Sequence, residues 1–491
     1  MTHAASHAEI QTLDNFIGGR WLPARGTELF DVHNPAVGDV IGRTPLSTAD
    51  DVDAAVRAAT DAFPAWRDTP VNARAQVLFR FKALLEQHFE EMARIVTTEH
   101  GKTLDEARGS VRRGIECVEV ACGAPSLMQG TGLEDIAAGI DCHVVRQPLG
   151  VCAAIAPFNF PAMVPMWFLP FAIATGNTFV LKPSEQVPLS QRKMAELLQQ
   201  SGLPPGVVNL VNGGRDVVNA ICDHSGIRAV SFVGSTPVAK HVYQRSTHAG
   251  KRVQALGGAK NFVVVMPDAD LDRAMGVIVE SFYGCAGERC LAGSMLVPVG
   301  EAHHAARDRM VDAARSLRVG DGSQPGVSMG PVISAAHRTR VIDYIDKGVA
   351  EGASLLVDGR RTRVPDRPNG YFVGPTVFDG VSSRMAIGRE EIFGPVASIC
   401  PVRSLDEAIA LATSHPNANA ASIFTSSGKA AREFAKQAPA SMVGVNIGVA
   451  APMAYFPFGG AKDSFFGDLK VHGRDGIEFY TDKKVTISRW L

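Results

Sequence analysis

The period of the hydrophobic positions changes along the chain. Over residues 45–123 apolar side chains recur at helical spacing, as in TADDVDAAVRAATDAFPAWR and VNARAQVLFRFKALLEQHFEEMARIVTTEHG. This predicts a mainly helical segment able to cover one face of a sheet. From 150 to 247 short strand-like runs (GVCAAIAPF, TFVLKPS, VVNLVNG, AVSFVGS) alternate with helical ones (PAMVPMWFLPFAIATGN, PLSQRKMAELLQQSG, DVVNAICDHSG, TPVAKHVYQRSTHAG). Such alternation predicts right-handed βαβ units around a parallel sheet. A second alternating block begins near 260, with NFVVVMP, SMLVPV, FVGPTVFDGV, ASICPV and ASIFTSS as its strands. Two α/β lobes are therefore expected, joined around 250–260 by GKRVQALGGAK. Two further stretches, CHVVRQPL near 142–149 and EFYTDKKVTISRW near the end, alternate with exposed charge. They read as strands that need a partner, within the chain or across a subunit boundary.

One stretch first reads as a membrane segment, because no charged side chain lies between Gln147 and Lys182. Pro157, Pro161, Pro165, Pro170, Gly176 and Asn159 break it into a strand, a short helix and another strand, so it is read as buried core. The 491 residues are 46% hydrophobic and 20% charged, which excludes disordered, collagen-like and mucin-like classes. Lysine plus arginine number 49 against 50 acidic residues, with no long single-sign run, so nucleic acid and anionic membrane are not expected partners. Eight cysteines, with no secretory pattern in the start MTHAASHAEIQTLDNF, fit reduced thiols in the cytoplasm.

Candidate chemistry is sparse when each signal stands alone. No GxGxxG string follows a strand. The nearest strand-to-helix turn is Phe232-Val-Gly-Ser-Thr-Pro-Val-Ala239, where Gly234 and Ser235 either present amides to a pyrophosphate or form a turn capped by Ser235 or Thr236. Among the cysteines, Cys290 stands apart in Gly287-Glu-Arg-Cys290, between a helix-like run and a strand. Arg289 beside it is expected to favour the thiolate, although a buried cysteine is more commonly a small hydrophobe. No metal-ligand spacing occurs.

Five strings taken together are far more specific: Pro157-Phe-Asn-Phe-Pro161, Lys182-Pro-Ser-Glu185, Phe232-Val-Gly-Ser-Thr236, Gly287-Glu-Arg-Cys290 and Glu390-Glu-Ile-Phe-Gly-Pro-Val396. In order and spacing they resemble the motif set of the aldehyde dehydrogenase superfamily, over essentially the whole chain. The resemblance implies two Rossmann-type α/β lobes plus a small β oligomerisation extension. An NAD-binding domain would span 1–124 and 143–255, a catalytic domain 256–466, and oligomerisation strands 125–142 and 467–491, assembling a homotetramer as a dimer of dimers. It also implies roles by position. Cys290 would attack the aldehyde, and Asn159 would donate to the resulting oxyanion beside the Cys290 amide. Lys182 and Glu185 would hold the adenosine ribose, Gly234 and Ser235 the pyrophosphate, and Glu391 the nicotinamide ribose, with Phe158 and Phe393 also in the cofactor site. An acidic Glu185 would repel a 2′-phosphate, so NAD is expected over NADP; a surface charge is the other reading of Glu185.

One departure narrows the resemblance. Hydrolytic members carry a glutamate in an E-L-G-G-K string, whereas here the segment is Gln254-Ala-Leu-Gly-Gly-Ala-Lys260, leaving Ala255 or Leu256 at that position. Neither is a general base. With Gly258-Ala-Lys-Asn261 and Ser464-Phe-Phe-Gly-Asp-Leu469, the chain is similar to the coenzyme A-acylating branch, the methylmalonate-semialdehyde dehydrogenases. That branch implies oxidative decarboxylation of malonate or methylmalonate semialdehyde to acetyl- or propionyl-coenzyme A through a cysteine thioester. Two arginines would hold the substrate carboxylate, at Arg113 and Arg289, with Arg112 the near alternative to Arg113. A hydrolytic dehydrogenase using another base, and a catalytically silent member of the fold, are the competing expectations.

Overall fold

The computed structural model describes residues 10–490, so part of the start-segment reading falls outside the described residues. Four helices, Ala49–Asp68, Val71–Gln87, Phe89–His100 and Leu104–Cys122, fill the early part of the chain as its helical period predicts. The composition of Leu104–Cys122 explains its start, because Thr103 and Glu106 form a reciprocal capping box around its first turn. The expected helical cover is preceded by four short strands between Asn15 and Pro45 that the hydrophobic pattern does not predict. They are short and irregular, and Asn15–Ile17 finds its place only by pairing antiparallel with the distant Val208–Leu210.

The first lobe is an eight-stranded sheet. Its centre is five parallel strands in the order Val208–Leu210, Thr178–Lys182, Val151–Ile155, Ile227–Val233, Arg252–Leu256. The prolines divide the uncharged stretch as expected: Val151–Ile155 leads to helix Pro165–Ala174 and then to Thr178–Lys182, all buried. Among the described residues no helix is long and apolar enough to cross a membrane. The second lobe is a seven-stranded sheet from Asn261 to Val445 in which only the edge strand Ser354–Val357 runs antiparallel. Each lobe has a large buried apolar cluster.

The two stretches with exposed alternation find partners within the chain. Thr481–Arg489 pairs antiparallel along its length with Ile140–Pro148, and Thr131–Ala137 pairs on the other side, giving a separate three-stranded sheet. The outer edges of both flanking strands have no partner among the described residues, and one face presents Leu133, Val485 and Ile487, each more than half exposed.

Candidate active site

The segment carrying Cys290 is positioned by backbone rather than by regular structure. Helix Leu271–Tyr283 ends in a tight turn where Cys285, Ala286 and Gly287 adopt left-handed φ values of 50°, 51° and 76°. Two side-chain-bearing residues in that region are costly and need outside support. Part of it comes from Glu106, whose carboxylate accepts the Cys285 N–H at 2.6 Å. Gly287 has no substitute, since a Cβ there would stand 2.2 Å from the Gly394 carbonyl oxygen. Beyond the turn, the Cys290 carbonyl accepts side-chain amides of Asn261 at 3.0 Å and Asn419 at 2.9 Å. The nucleophile segment is thus pinned on both sides before the strand Gly293–Pro298 begins.

The Cys290 thiol is pushed up to about 12, chiefly by burial and next by the neighbouring Glu391 carboxylate. This corrects the expectation that Arg289 holds it as thiolate. The guanidinium of Arg289 is directed elsewhere: Nε donates to Cys285 Sγ at 3.3 Å, and the two terminal nitrogens lie 3.4 Å from Glu106 and 3.6 Å from Glu280. The two carboxylate contacts are long, and no carboxylate docks into the guanidinium fork in bidentate fashion.

Asn159 is buried, and its side-chain amide donates to the Glu288 carbonyl at 3.0 Å, which brings it to the Cys290 segment with its second N–H uncommitted. Its own carbonyl accepts the fully buried Lys102 ammonium at 2.6 Å, and that ammonium also lies over the Phe160 ring. Leu256 and Ala255, on alternate faces of one strand, part company here. Leu256 belongs to the apolar cluster against which Cys290 packs, and Ala255 to the cluster on the opposite face. Leu256 is therefore the residue on the Cys290 side.

Two cavities approach this segment. One, of about 470 Å³, is lined mostly by apolar side chains such as Phe160, Met163, Trp167 and Phe458, and it contains Arg113 and Arg289. Arg113 is half-buried there, bonded to Glu116 at 3.0 Å and to the Ala451 carbonyl. Arg112 points away, in a bidentate pair with Glu86 at 2.7 and 2.8 Å. The other cavity, of about 730 Å³, lies at the carboxyl ends of the parallel strands Val151–Ile155, Thr178–Lys182 and Ile227–Val233. Phe158, Lys182, Glu185, Gly234, Ser235, Glu391 and Phe393 all line it. Lys182 and Glu185 form an ion pair at 2.8 Å. Ser235 is the N-cap of helix Thr236–His248 without spending its hydroxyl on the helix, so hydroxyl and helix amides remain for an anion. Glu391 accepts the Ala259 N–H at 2.9 Å, and burial pushes its carboxyl up to about 7. Its other oxygen lies where a Cβ on Gly258 would stand, 2.3 Å away, so this corner is open only because residue 258 is glycine. A pyrophosphate at a helix N-terminus between two ribose-facing carboxylates is what these groups can hold, so the cleft fits a dinucleotide.

Of all the described residues lining these two cavities, Cys290 alone lines both. Residues 21–486 match the Aldehyde dehydrogenase family. The chain belongs to that family. Among its relatives, Malonate-semialdehyde dehydrogenase 2 of Geobacillus kaustophilus is 52% identical, over 98% of this chain and 99% of that protein. The Malonate-semialdehyde dehydrogenase of Halalkalibacterium halodurans is 50% identical, over 99% of this chain and its own full length. The crystal structure of methylmalonate-semialdehyde dehydrogenase from Oceanimonas doudoroffii superposes with a TM-score of 0.97 at 46% identity, covering 98% of this chain and 99% of that one. The NAD+ complex of an aldehyde dehydrogenase from Bacillus cereus gives 0.93 at 32% identity, covering 97% and 96%.

Several residues of this family site were invisible to sequence reasoning. Asn419 reaches Cys290 across 129 positions, with no local signal. Lys102 likewise carries none. The T-x-x-E spacing of Thr103 and Glu106 is a signal that could have marked a helix cap, but nothing in it announces the second task of Glu106, holding the turn before Cys290. His337, which bonds the Phe393 carbonyl at 2.7 Å, and Arg340, which bonds the Glu391 carbonyl at 2.9 Å, order the nucleotide side from a helix no motif marked.

Proposed function

We propose that this enzyme oxidises malonate semialdehyde or its 2-methyl homologue with NAD and delivers acetyl or propionyl to coenzyme A. The observation that carries the reading is the pairing of Arg113 and Arg289 in a largely apolar cavity that ends on Cys290. A carboxylated aldehyde satisfies both ends of such a cavity: its anion pairs with the guanidinium groups and its carbonyl meets the sulfur. The names of the relatives point to the same substrate class.

The Cys290 sulfur adds to the aldehyde carbon as its proton is released to solvent, while the Asn159 amide and the Cys290 N–H hold the oxyanion. NAD bound in the cleft supplies a hydride acceptor for the thiohemiacetal on Cys290. Glu185 with Lys182, Gly234 with Ser235, and Glu391 would hold its two riboses and pyrophosphate, with Phe158 and Phe393 packing along it. The resulting Cys290 thioester has a carboxylate β to its carbonyl, so carbon dioxide leaves as the thioester accepts the electron pair as an enolate. Protonation then gives the acetyl or propionyl thioester. Leu256 offers no base to activate water, and the coenzyme A thiol, a better nucleophile toward a thioester, takes the acyl group.

Further parts of this reading concern the whole chain. The division proposed is 1–124 with 143–255 for the nucleotide, 256–466 for catalysis, and 125–142 with 467–491 for oligomerisation into a tetramer. The eight cysteines, none in a disulfide, fit a reducing cytoplasm. The decisive experiment is NADH formation from malonate semialdehyde at high enzyme concentration, with and without coenzyme A. The expected result is a stoichiometric burst that becomes steady turnover only with coenzyme A. Sustained turnover without it would make the enzyme hydrolytic, and Cys290→Ala should abolish the burst.

A further inference from the structure

Three cysteines, Cys117, Cys285 and Cys290, line the smaller cavity. Burial holds Cys117 and Cys290 in the thiol form, the latter pushed up to about 12. Cys285 stands in different surroundings. Arg289 Nε donates to its sulfur at 3.3 Å, and Glu106, which accepts the Cys285 N–H, lies 3.4 Å from the same guanidinium. The left-handed turn and the bond from its N–H to Glu106 fix that sulfur beside the Arg289 guanidinium. No step of the reaction above uses it.

We propose that Cys285 is a second reactive thiol, oxidised by hydrogen peroxide ahead of Cys290, and that its oxidised side chain occupies Arg289 in place of the substrate carboxylate. The inference rests on the reading of Arg289 as a carboxylate ligand. The Cys285 sulfur attacks one peroxide oxygen; an S–O bond forms, the O–O bond breaks, and the departing hydroxide leaves as water with the thiol proton. Sulfur loses two electrons and peroxide gains them, giving a sulfenic acid. A second equivalent gives a sulfinate, an anion with two oxygens on one centre, as in a carboxylate. The anion is stabilised by the guanidinium already at that sulfur, and the fork of Arg289, whose two carboxylate contacts are long, accepts it.

The test treats the whole enzyme with increasing peroxide, labels sulfenic acid with a 1,3-diketone, and maps the labelled peptide by mass spectrometry. Activity is followed with malonate semialdehyde and with propanal. Label is expected at Cys285 before Cys290. In parallel, kcat/KM should fall by about tenfold or more for malonate semialdehyde and by less than about twofold for propanal. Label at Cys290 first, or equal loss for both aldehydes, overturns the proposal. In Cys285→Ser, compared with its own untreated sample, the selective loss should vanish, and its persistence would also overturn the proposal. An untreated enzyme with no preference for malonate semialdehyde over propanal counts against the carboxylate reading of Arg289 instead, and the labelling order alone then decides the reactivity of Cys285.

Discussion

Cys290 works in a setting where its neighbour in sequence does not set the charge on its sulfur. Arg289 is adjacent in sequence yet is directed to Glu106, Glu280 and Cys285, and the carboxylate nearest in effect is Glu391, which raises the thiol further. The family strings name Cys290, Asn159 and Glu391 because each is read from a few contiguous residues. The electrostatics were not legible, because burial and the direction of a long side chain are properties of the packed molecule. Two substitutions test the residue-scale reading. Leu256→Glu places a carboxyl on the Cys290 face of its strand, and coenzyme A-independent turnover should rise; no gain would show that cavity shape, rather than the missing base, selects the acceptor. Arg113→Leu should lower kcat/KM for malonate semialdehyde by about a hundredfold and much less for propanal, while Arg112→Leu should leave both within about twofold. Equal effects from the two arginines would reject the assignment.

At the level of elements, the alternating blocks were readable because each buried strand is short, apolar and bounded by turn residues, as Val151–Ile155 and Thr178–Lys182 show. The strands before Pro45 were not readable, because their pairing depends on partners far along the chain. One junction between elements carries a pH dependence. Glu99, fully buried at the end of helix Phe89–His100, accepts the N–H groups of Leu189 at 2.7 Å and Ser190 at 3.1 Å, at the start of helix Leu189–Gln200. Burial raises its carboxyl from 4.5 to about 7. The folded chain therefore keeps a proton that the unfolded chain has lost, and this contribution is complete below the unfolded value and disappears as pH rises through about 7. Glu99→Gln cannot ionise. Its cost in lost hydrogen bonding is constant, so denaturation midpoints of the two proteins should move in favour of the variant between about pH 5 and about pH 8, by about 2 to 3 kcal/mol. A difference that stays flat with pH would mean Glu99 is already ionised at the lower end.

For the whole molecule, the three-stranded sheet stands apart from both lobes, with Val485 and Ile487 on one face at 57% and 66% exposed and two edges without a partner. Apolar exposure beside open edges is what a second copy of the chain would cover. Light scattering should give a mass well above the 52.2 kDa of one chain. Val485→Glu with Ile487→Lys should shift that mass downward while the circular dichroism of the lobes is retained, and an unchanged mass would place the contact elsewhere. The two cavities share one lining residue, Cys290. An acyl group on that residue would lie in the smaller chamber, leaving the larger one to be emptied and refilled while the cargo stays sheltered.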